Sequence, residues 1–269
     1  MVVSGTPARF RALHAGEQPF VMPNPWDVGS ARLLASCGFE ALATTSAGFA
    51  WSIGKLDHGV TRDELVAHVA ILAGATSLPL NVDSERCYPD DPGGVEETVA
   101  LLAEAGAAGC SIEDYDPAAG RIEDVDVAAE RVAAAARAAG RLADPIVLTG
   151  RAENHLHGVD DLEDTIARLI AYRDAGADVV YAPGLSDLAG IAALVEAVGV
   201  PVNVLALPSG PTVAELASVG VRRVSTGGSL ARRAYGALVA GARELLADGT
   251  SRYAEQGVSN EALRAALAS

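Results

Sequence analysis

LPLNVDSERCYPDDPGGVEETVALLAEAGAAGCSIED, residues 78–114, holds in one stretch the pattern that decides the fold. Two short apolar runs, LPLNVDSE (78–85) and GCSIED (109–114), each end in acids. Between them GVEETVALLAEAGA (94–107) has helical period and carries a glycine near its end, a helix-stop signal. Runs with so little polar alternation suit strands buried on both faces. A strand, a helix and a second strand in this order form a parallel pair joined by a right-handed crossover.

The same unit repeats outward in both directions. Six further runs are PFVMP (19–23), ALATTS (41–46), PIVLTGR (145–151), DVVYAP (178–183), PVNVLA (201–206) and VRRVSTGG (221–228). GSARLLASCG, TRDELVAHVAILAGA, DLEDTIARLIAYRDAGA, DLAGIAALVEAVG and TVAELASVG supply helices between them. An open doubly wound sheet is the competing arrangement. Eight strand–helix alternations in 269 residues favour a closed (β/α)8 barrel, the TIM barrel, which needs about 250 residues. No linker composition interrupts the chain, so one domain is expected over 1–269. Residues 5–16 are expected to add a helix before the first strand. The tail 229–269 reads as extra helices. It is too apolar to stay free and should bury itself on something.

Composition narrows the function. Half the residues are apolar and the net charge is −15. A chain this acidic is a poor binder of nucleic acid or anionic membrane, and no uncharged apolar run reaches the length of a span. The opening MVVSGTPARFRALHAG lacks a long apolar core, so no secretory signal is expected. Three cysteines, Cys37, Cys87 and Cys110, form no disulfide or zinc pattern, and a cytoplasmic location is expected.

In a barrel the C-terminal strand ends share one mouth, where chemistry is found. Asp83 and Glu85 end the third run, and Glu113 and Asp114 the fourth. Arg151, Glu153 and Asn154 follow the fifth. Acids on adjacent strands offer the oxygen ligands that Mg2+ prefers, and Mg2+ needs only one or two direct carboxylates. Alternation places Asp83 and Glu85 on one strand face. Arg151, a lone cation among acids, suits a substrate carboxylate or pairs with Glu153 or Glu113. The backbone of Thr45, Ser46 and Ala47 could form an anion nest. Trp26 and Asn203, on the first and seventh units, are read as further substrate contacts. His155 and His157, at strand-like spacing, lack a third metal ligand. His58 beside Asp57 is the acid/base candidate among the histidines.

These motifs, in order, resemble the isocitrate lyase/phosphoenolpyruvate mutase superfamily over nearly the whole chain. Its third-strand D-A-D-x-G-Y is matched by Asp83-Ser84-Glu85-Arg86-Cys87-Tyr88, which implies Asp83 as the direct Mg2+ ligand and Glu85 acting through water. Its I-E-D is Ile112-Glu113-Asp114, implying that Glu113 holds the metal's water. Its A-R-x-[DE] is Gly150-Arg151-Ala152-Glu153, implying that Arg151 binds the substrate carboxylate. Ile53-Gly54-Lys55-Leu56-Asp57 matches L-G-x-x-D, so Asp57 resembles an active-site acid, and Thr45-Ser46-Ala47 matches the carboxylate-binding turn.

Departures limit what carries over. Where related lyases have K-K-C-G-H, this chain has Asp114 to Arg121 with neither Cys nor Lys. After the sixth strand it has Ala182-Pro183-Gly184 rather than Glu. The resemblance implies a carbon–carbon lyase using Mg2+, with Mn2+ as substitute. It acts on a small oxaloacetate-like 2-oxo acid through an enolate, and decarboxylation suits a site without the Cys loop. A carbon–phosphorus bond enzyme and a non-catalytic oxo-acid-binding barrel are the alternatives. The resemblance also implies a homodimer or homotetramer that exchanges C-terminal helices.

Overall fold

The computed structural model describes residues 6–268. Residues 1–5, part of the opening segment read above, and Ser269 lie outside the described residues. All eight expected strands form: β1 (Phe20–Met22), β2 (Leu42–Ala43), β3 (Leu80–Asp83), β4 (Gly109–Glu113), β5 (Val147–Arg151), β6 (Val179–Tyr181), β7 (Val202–Leu205) and β8 (Arg223–Ser225). Neighbours pair in parallel, and β8 pairs with β1, Phe20 opposite Arg223. The Ala43 N–H donates to Pro23 O at 3.0 Å, which brings β2 to β1 and closes the barrel. The open-sheet alternative is thereby excluded.

The helices are α1 (Pro7–His14), α2 (Val28–Ser36), α3 (Ser46–Ser52), α4 (Arg62–Ala75), α5 (Gly94–Glu104), α6 (Val125–Ala139), α7 (Leu162–Asp174), α8 (Leu188–Val198), α9 (Val213–Ser218), α10 (Ser229–Asp248) and α11 (Asn260–Leu267). Their starts are written locally. Thr61 and Glu64 form a reciprocal capping box on α4, and Thr212 and Glu215 do the same on α9. Asp161 and Asp187 cap α7 and α8. The repeated Ala-Gly-Ala after α5 and α7 has a steric reason. Gly106 and Gly176 take φ of +98° and +110°, and a Cβ there would lie 2.9 Å from Ala73 Cβ and 2.7 Å from Ala136 Cβ.

Apolar packing falls on both sides of the strand ring. Leu80, Val82, Val99, Leu102, Ile112 and Leu148 pack one half of the sheet against its helices, and Val180, Ile191, Leu194, Val202 and Val224 pack the other. Inside the ring, Phe10, Phe20, Val147 and Val179 close the end opposite the mouth. Helix α1 is thus a plug, and His14 stands edge-on to Phe10 and Phe20 at 4.7 and 5.0 Å.

The described part of the tail is mainly helical. Helix α11 docks on α2 of its own barrel, with Arg32 Nη1 donating to Leu267 O at 3.0 Å. Helix α10 buries only Ala231 and Gly241, and Leu238, Val239, Leu245 and Leu246 are exposed along it. Among the described residues no helix is long and apolar enough to cross a membrane.

The plug makes stability depend on pH. Burial, with Arg223 beside it, lowers the His14 imidazole from 6.5 to about 3. Below 6.5 the unfolded chain takes up a proton that the folded chain refuses, so stability is lost as pH falls from 6.5 toward 3. Replacing His14 with Gln removes this dependence. The stability of the native protein relative to His14→Gln should drop by about 2–3 kcal/mol between pH 7.5 and 4.5, read from urea unfolding at both values.

Candidate active site

A cavity of about 180 Å³ opens at the C-terminal mouth of the barrel. Thr45, Ser46, Ala47, Asp57, Asp83, Arg151 and Asn203 line it, as the sequence reading expected. Trp26 does not line it. The Trp26 Cβ abuts the backbone of α3, where a Cβ on Gly48 would meet it at 3.2 Å.

Arg151, the last residue of β5, knots three strand ends together. Its Nη1 donates to Asp83 Oδ1 at 2.7 Å and its Nε to Glu153 Oε1 at 2.8 Å. Its Nη2 is 3.2 Å from Glu113 Oε2. Both readings of Arg151 therefore bear on one residue, since it faces the cavity while paired to acids. Strand register explains the meeting: Glu113 and Arg151 are side-by-side partners on β4 and β5. Asp83 is fixed from the other side, its Oδ2 accepting the Ser46 N–H at 3.1 Å and its own N–H donating to Thr44 Oγ1 at 2.8 Å. The Ser46 N–H read as part of an anion nest is thus directed at Asp83. Thr45 caps α3 by accepting the Gly48 N–H at 3.2 Å.

Glu85 reaches the mouth by a route that strand alternation does not describe. Strand β3 ends at Asp83, and Glu85 stands beyond it at φ +50°. Cys87 and Tyr88 follow at +61° and +48°, and His58 opposite is at +61°. Left-handed backbone at four non-glycine residues is costly and clusters at functional sites. It turns Glu85 Oε2 to within 3.6 Å of His58 Nδ1, which is also 3.8 Å from Glu113 Oε1. Both His58 Nδ1 and Glu113 Oε1 are buried without a hydrogen-bond partner.

One guanidinium serves Asp83, Glu113 and Glu153, with Glu85 adjacent. Burial dominates the titration of these acids. Burial pushes the Glu113 carboxyl well above the usual range. Arg151 opposes this, and Glu153, Asp83 and Glu85 add to it. Burial likewise raises Glu85 and Glu153. The Glu85 carboxylate raises His58. Among the described residues no group of three or more His, Cys, Asp or Glu is disposed to hold a metal ion by itself. An all-protein cage is therefore not what the site offers. Asp83 lines the cavity with the unpartnered Glu113 Oε1 behind it, oxygen donors of the kind that a hydrated divalent cation takes.

Asp114 belongs to a different network. It is 1% exposed and accepts from Tyr172 Oη at 2.6 Å, Glu153 N at 2.8 Å and Arg168 Nη1 at 3.2 Å. The loop after β4 is a two-stranded hairpin, Tyr115–Asp116 against Arg121–Ile122. Arg86 pins it through Glu123 at 2.7 Å and Asp116 at 3.7 Å. That loop itself contains no cysteine. Cys87 and Cys110 are buried, and burial pushes the Cys87 thiol up to about 12. The histidine pair read as strand-like lies in a 3-10 turn, Asn154–His157, so the two rings part. His155 Nε2 is 3.2 Å from Thr165 Oγ1, and His157 stacks on Tyr115 at 3.5 Å between centroids. Sequence reasoning missed the Tyr115–His157 stack and the hub at Asn24. Asn24 Oδ1 accepts the Thr226 and Gly227 N–H groups, both at 2.9 Å, while Nδ2 donates to Thr44 O at 2.6 Å.

The family described as phosphoenolpyruvate phosphomutase matches residues 10–246. The chain belongs to this family. It sits in the isocitrate lyase/phosphoenolpyruvate mutase superfamily, whose members are lyases and mutases of carbon–carbon or carbon–phosphorus bonds, and it is an enzyme of that class. The non-catalytic alternative falls with that. A crystal structure from Burkholderia cenocepacia J2315, provisionally described as a lyase/mutase, is 51% identical. It covers 98% of this chain and 95% of its own, with a TM-score of 0.93. Oxaloacetate decarboxylase of Paraburkholderia xenovorans is 31% identical over 80% of this chain and 73% of its own. 2-Methylisocitrate lyase of Escherichia coli is 30% identical over 72% and 67%. Homologues of these kinds act on small acids.

Arg151 can be tested apart from catalysis. Arg151→Met leaves buried acids without their cation and should cost about 3–5 kcal/mol of folding stability at pH 7.5. Glu113 and Glu153 have raised folded values, so each favours folding when protonated, and the deficit should shrink as pH falls. Unfolding curves of variant and native protein across pH 5–8 check both the size and the sign.

Proposed function

We propose that this family member is a Mg2+-dependent lyase that decarboxylates a small oxaloacetate-like 2-oxo acid. The observation that carries the proposal is the junction of Asp83, Arg151 and the Ser46 N–H on one cavity wall, with Glu85 and Glu113 behind it. The 31% identity to an oxaloacetate decarboxylase supports the choice of substrate.

Asp83 would hold the metal directly, and Glu85 and Glu113 would hold its water. Mg2+, or Mn2+ in its place, supplies a Lewis acid for the 2-oxo oxygen when bound. Arg151 orients Asp83 and Glu113, and its guanidinium faces the cavity toward the substrate carboxylate. Thr45, Ser46 and Ala47 shape the wall beside it. Leu156, Pro183 and Leu205 form an apolar wall that excludes water from the bond being broken. Asp57 is exposed at the rim, its Oδ1 accepting the His58 N–H at 3.3 Å, and it orders solvent over the substrate. With no cysteine in the loop after β4, the proton for C3 comes from the rim, where His58, Tyr115 and His157 meet.

The test is Mg2+-dependent release of CO2 from oxaloacetate, with phosphonopyruvate in parallel. Asp83→Asn and Arg151→Ala are each expected to lose about 100-fold or more, the scale for removal of a charge-stabilising group. Turnover of phosphonopyruvate with oxaloacetate untouched would move the reaction to a carbon–phosphorus bond.

The same reading includes assembly. The exposed apolar residues of α10 fit burial against a second copy of this chain in a dimer or tetramer. Light scattering at micromolar concentration should give a multiple of the 27.4 kDa chain mass. A charge at Leu246, the most exposed of these residues at 89%, should reduce that mass.

A further inference from the structure

One cation in the cavity has no use in the chemistry above. Arg223 projects from β8, is 1% exposed, and lines the same cavity as Asp83 and Arg151. Its Nε donates to Asn203 Oδ1 at 3.0 Å and its Nη2 to Thr149 Oγ1 at 3.0 Å, and its Nη1 is 3.2 Å from His14 Nε2. His14 Nδ1 lies 2.9 Å from Phe10 O, an atom that only accepts, so Nδ1 carries the ring proton and Nε2 accepts from Arg223. All three partners are neutral.

Other buried arginines of this chain are matched to acids. Arg131 pairs with Glu123, Arg62 with Asp91, and Arg151 with Asp83. A guanidinium taken out of water without an anion is strongly unfavourable. It has five N–H groups, of which the neutral partners occupy three, leaving one on each Nη. Around it the cavity floor is polar. Ser111, Tyr181 and Ser225 line it, and Asn81, 3% exposed, lines it with a buried Oδ1 that has no partner. These groups are built to receive something polar, and the unmatched charge makes it an anion.

Position decides which anion. Thr149, the acceptor of Arg223 Nη2, lies two residues before Arg151 on the same strand face, so Arg223 meets that strand about 7 Å below Arg151 along its length. That is the reach of a four- or five-carbon dicarboxylate lying along the barrel axis.

We propose that Arg223 is the floor of a second carboxylate subsite, which takes the distal carboxylate of a short dicarboxylate whose other end faces Arg151. The choice of ligand rests on the oxo-acid reading, but that reading gives Arg223 no role. Asn203 is then a positioning residue, holding Nε and aiming the free N–H groups up the cavity. Selectivity for dicarboxylates over monocarboxylates comes from this floor and not from the mouth.

Succinate and butyrate, alike in length and neither turned over, test the subsite by calorimetric titration with and without Mg2+. The native protein should bind succinate about 10-fold more tightly than butyrate. Arg223→Gln should bring the two within about 2-fold and leave butyrate unchanged. Asn203→Asp sets a carboxylate on Nε; it should abolish the preference too and raise the melting temperature, so it carries the test if Arg223→Gln does not fold. A folded variant that keeps the preference, or a native protein without one, overturns the proposal. So does a free halide as the occupant: chloride stabilising the native protein but not Arg223→Gln, with the succinate preference intact. Loss of the oxaloacetate reaction with the preference retained would refute the reaction and leave the subsite standing.

Discussion

The pairing of Arg151 with acids from three consecutive strand ends is the interaction on which the mouth depends. Asp83 ends β3, Glu113 ends β4, and Arg151 ends β5, with Glu153 just beyond. In water each pair would contribute little, because screening and side-chain entropy consume the Coulomb energy. Here the partners are largely buried, so the guanidinium is what allows the carboxylates to remain close. It does not neutralise them all. Burial, more than the neighbouring acids, raises Glu113, Glu85 and Glu153.

The barrel interior grades from one end to the other. Phe10 and Phe20 fill the closed end, where α1 acts as a plug. Above them lies a layer of amides, hydroxyls and one guanidinium, Asn81, Ser111, Thr149, Asn203 and Arg223. At the top are the ionised groups of the mouth. His14 joins the lowest two levels, since its ring packs on phenylalanines and its Nε2 accepts from Arg223. Its burial as a neutral base and the charge of Arg223 are therefore linked.

The rim takes its shape from constraints that replace those of related lyases. The loop after β4 is a hairpin tied by Arg86 to Glu123 and Asp116, so the segment that carries a cysteine elsewhere is here a braced wall. Left-handed residues at Glu85, Cys87 and Tyr88 fold the segment after β3 back under it. That turn places Glu85 beside His58 and buries Cys87 in the helix-side core. Burial, and not neighbouring carboxylates, is what raises the Cys87 thiol.

The sequence by itself determined the strand count, the strand order and most of the mouth. Apolar runs ending in acids, caps such as Thr61-x-x-Glu64, and glycines after helices are local signals, because they follow from backbone geometry within a few residues. Asp83, Glu113 and Arg151 were legible for the same reason: a residue at the C-terminal end of a barrel strand can face only the mouth. Tertiary structure alone decided the remainder. Trp26 sits in a promising segment, but packing against Gly48 takes it out of the cavity. Glu85 arrives by a strained turn rather than by strand alternation. Arg223 looked like one of two adjacent arginines in a strand. Whether such a side chain meets solvent, an acid or three neutral groups depends on residues as far away as His14 and Thr149, which only closure of the ring brings to it.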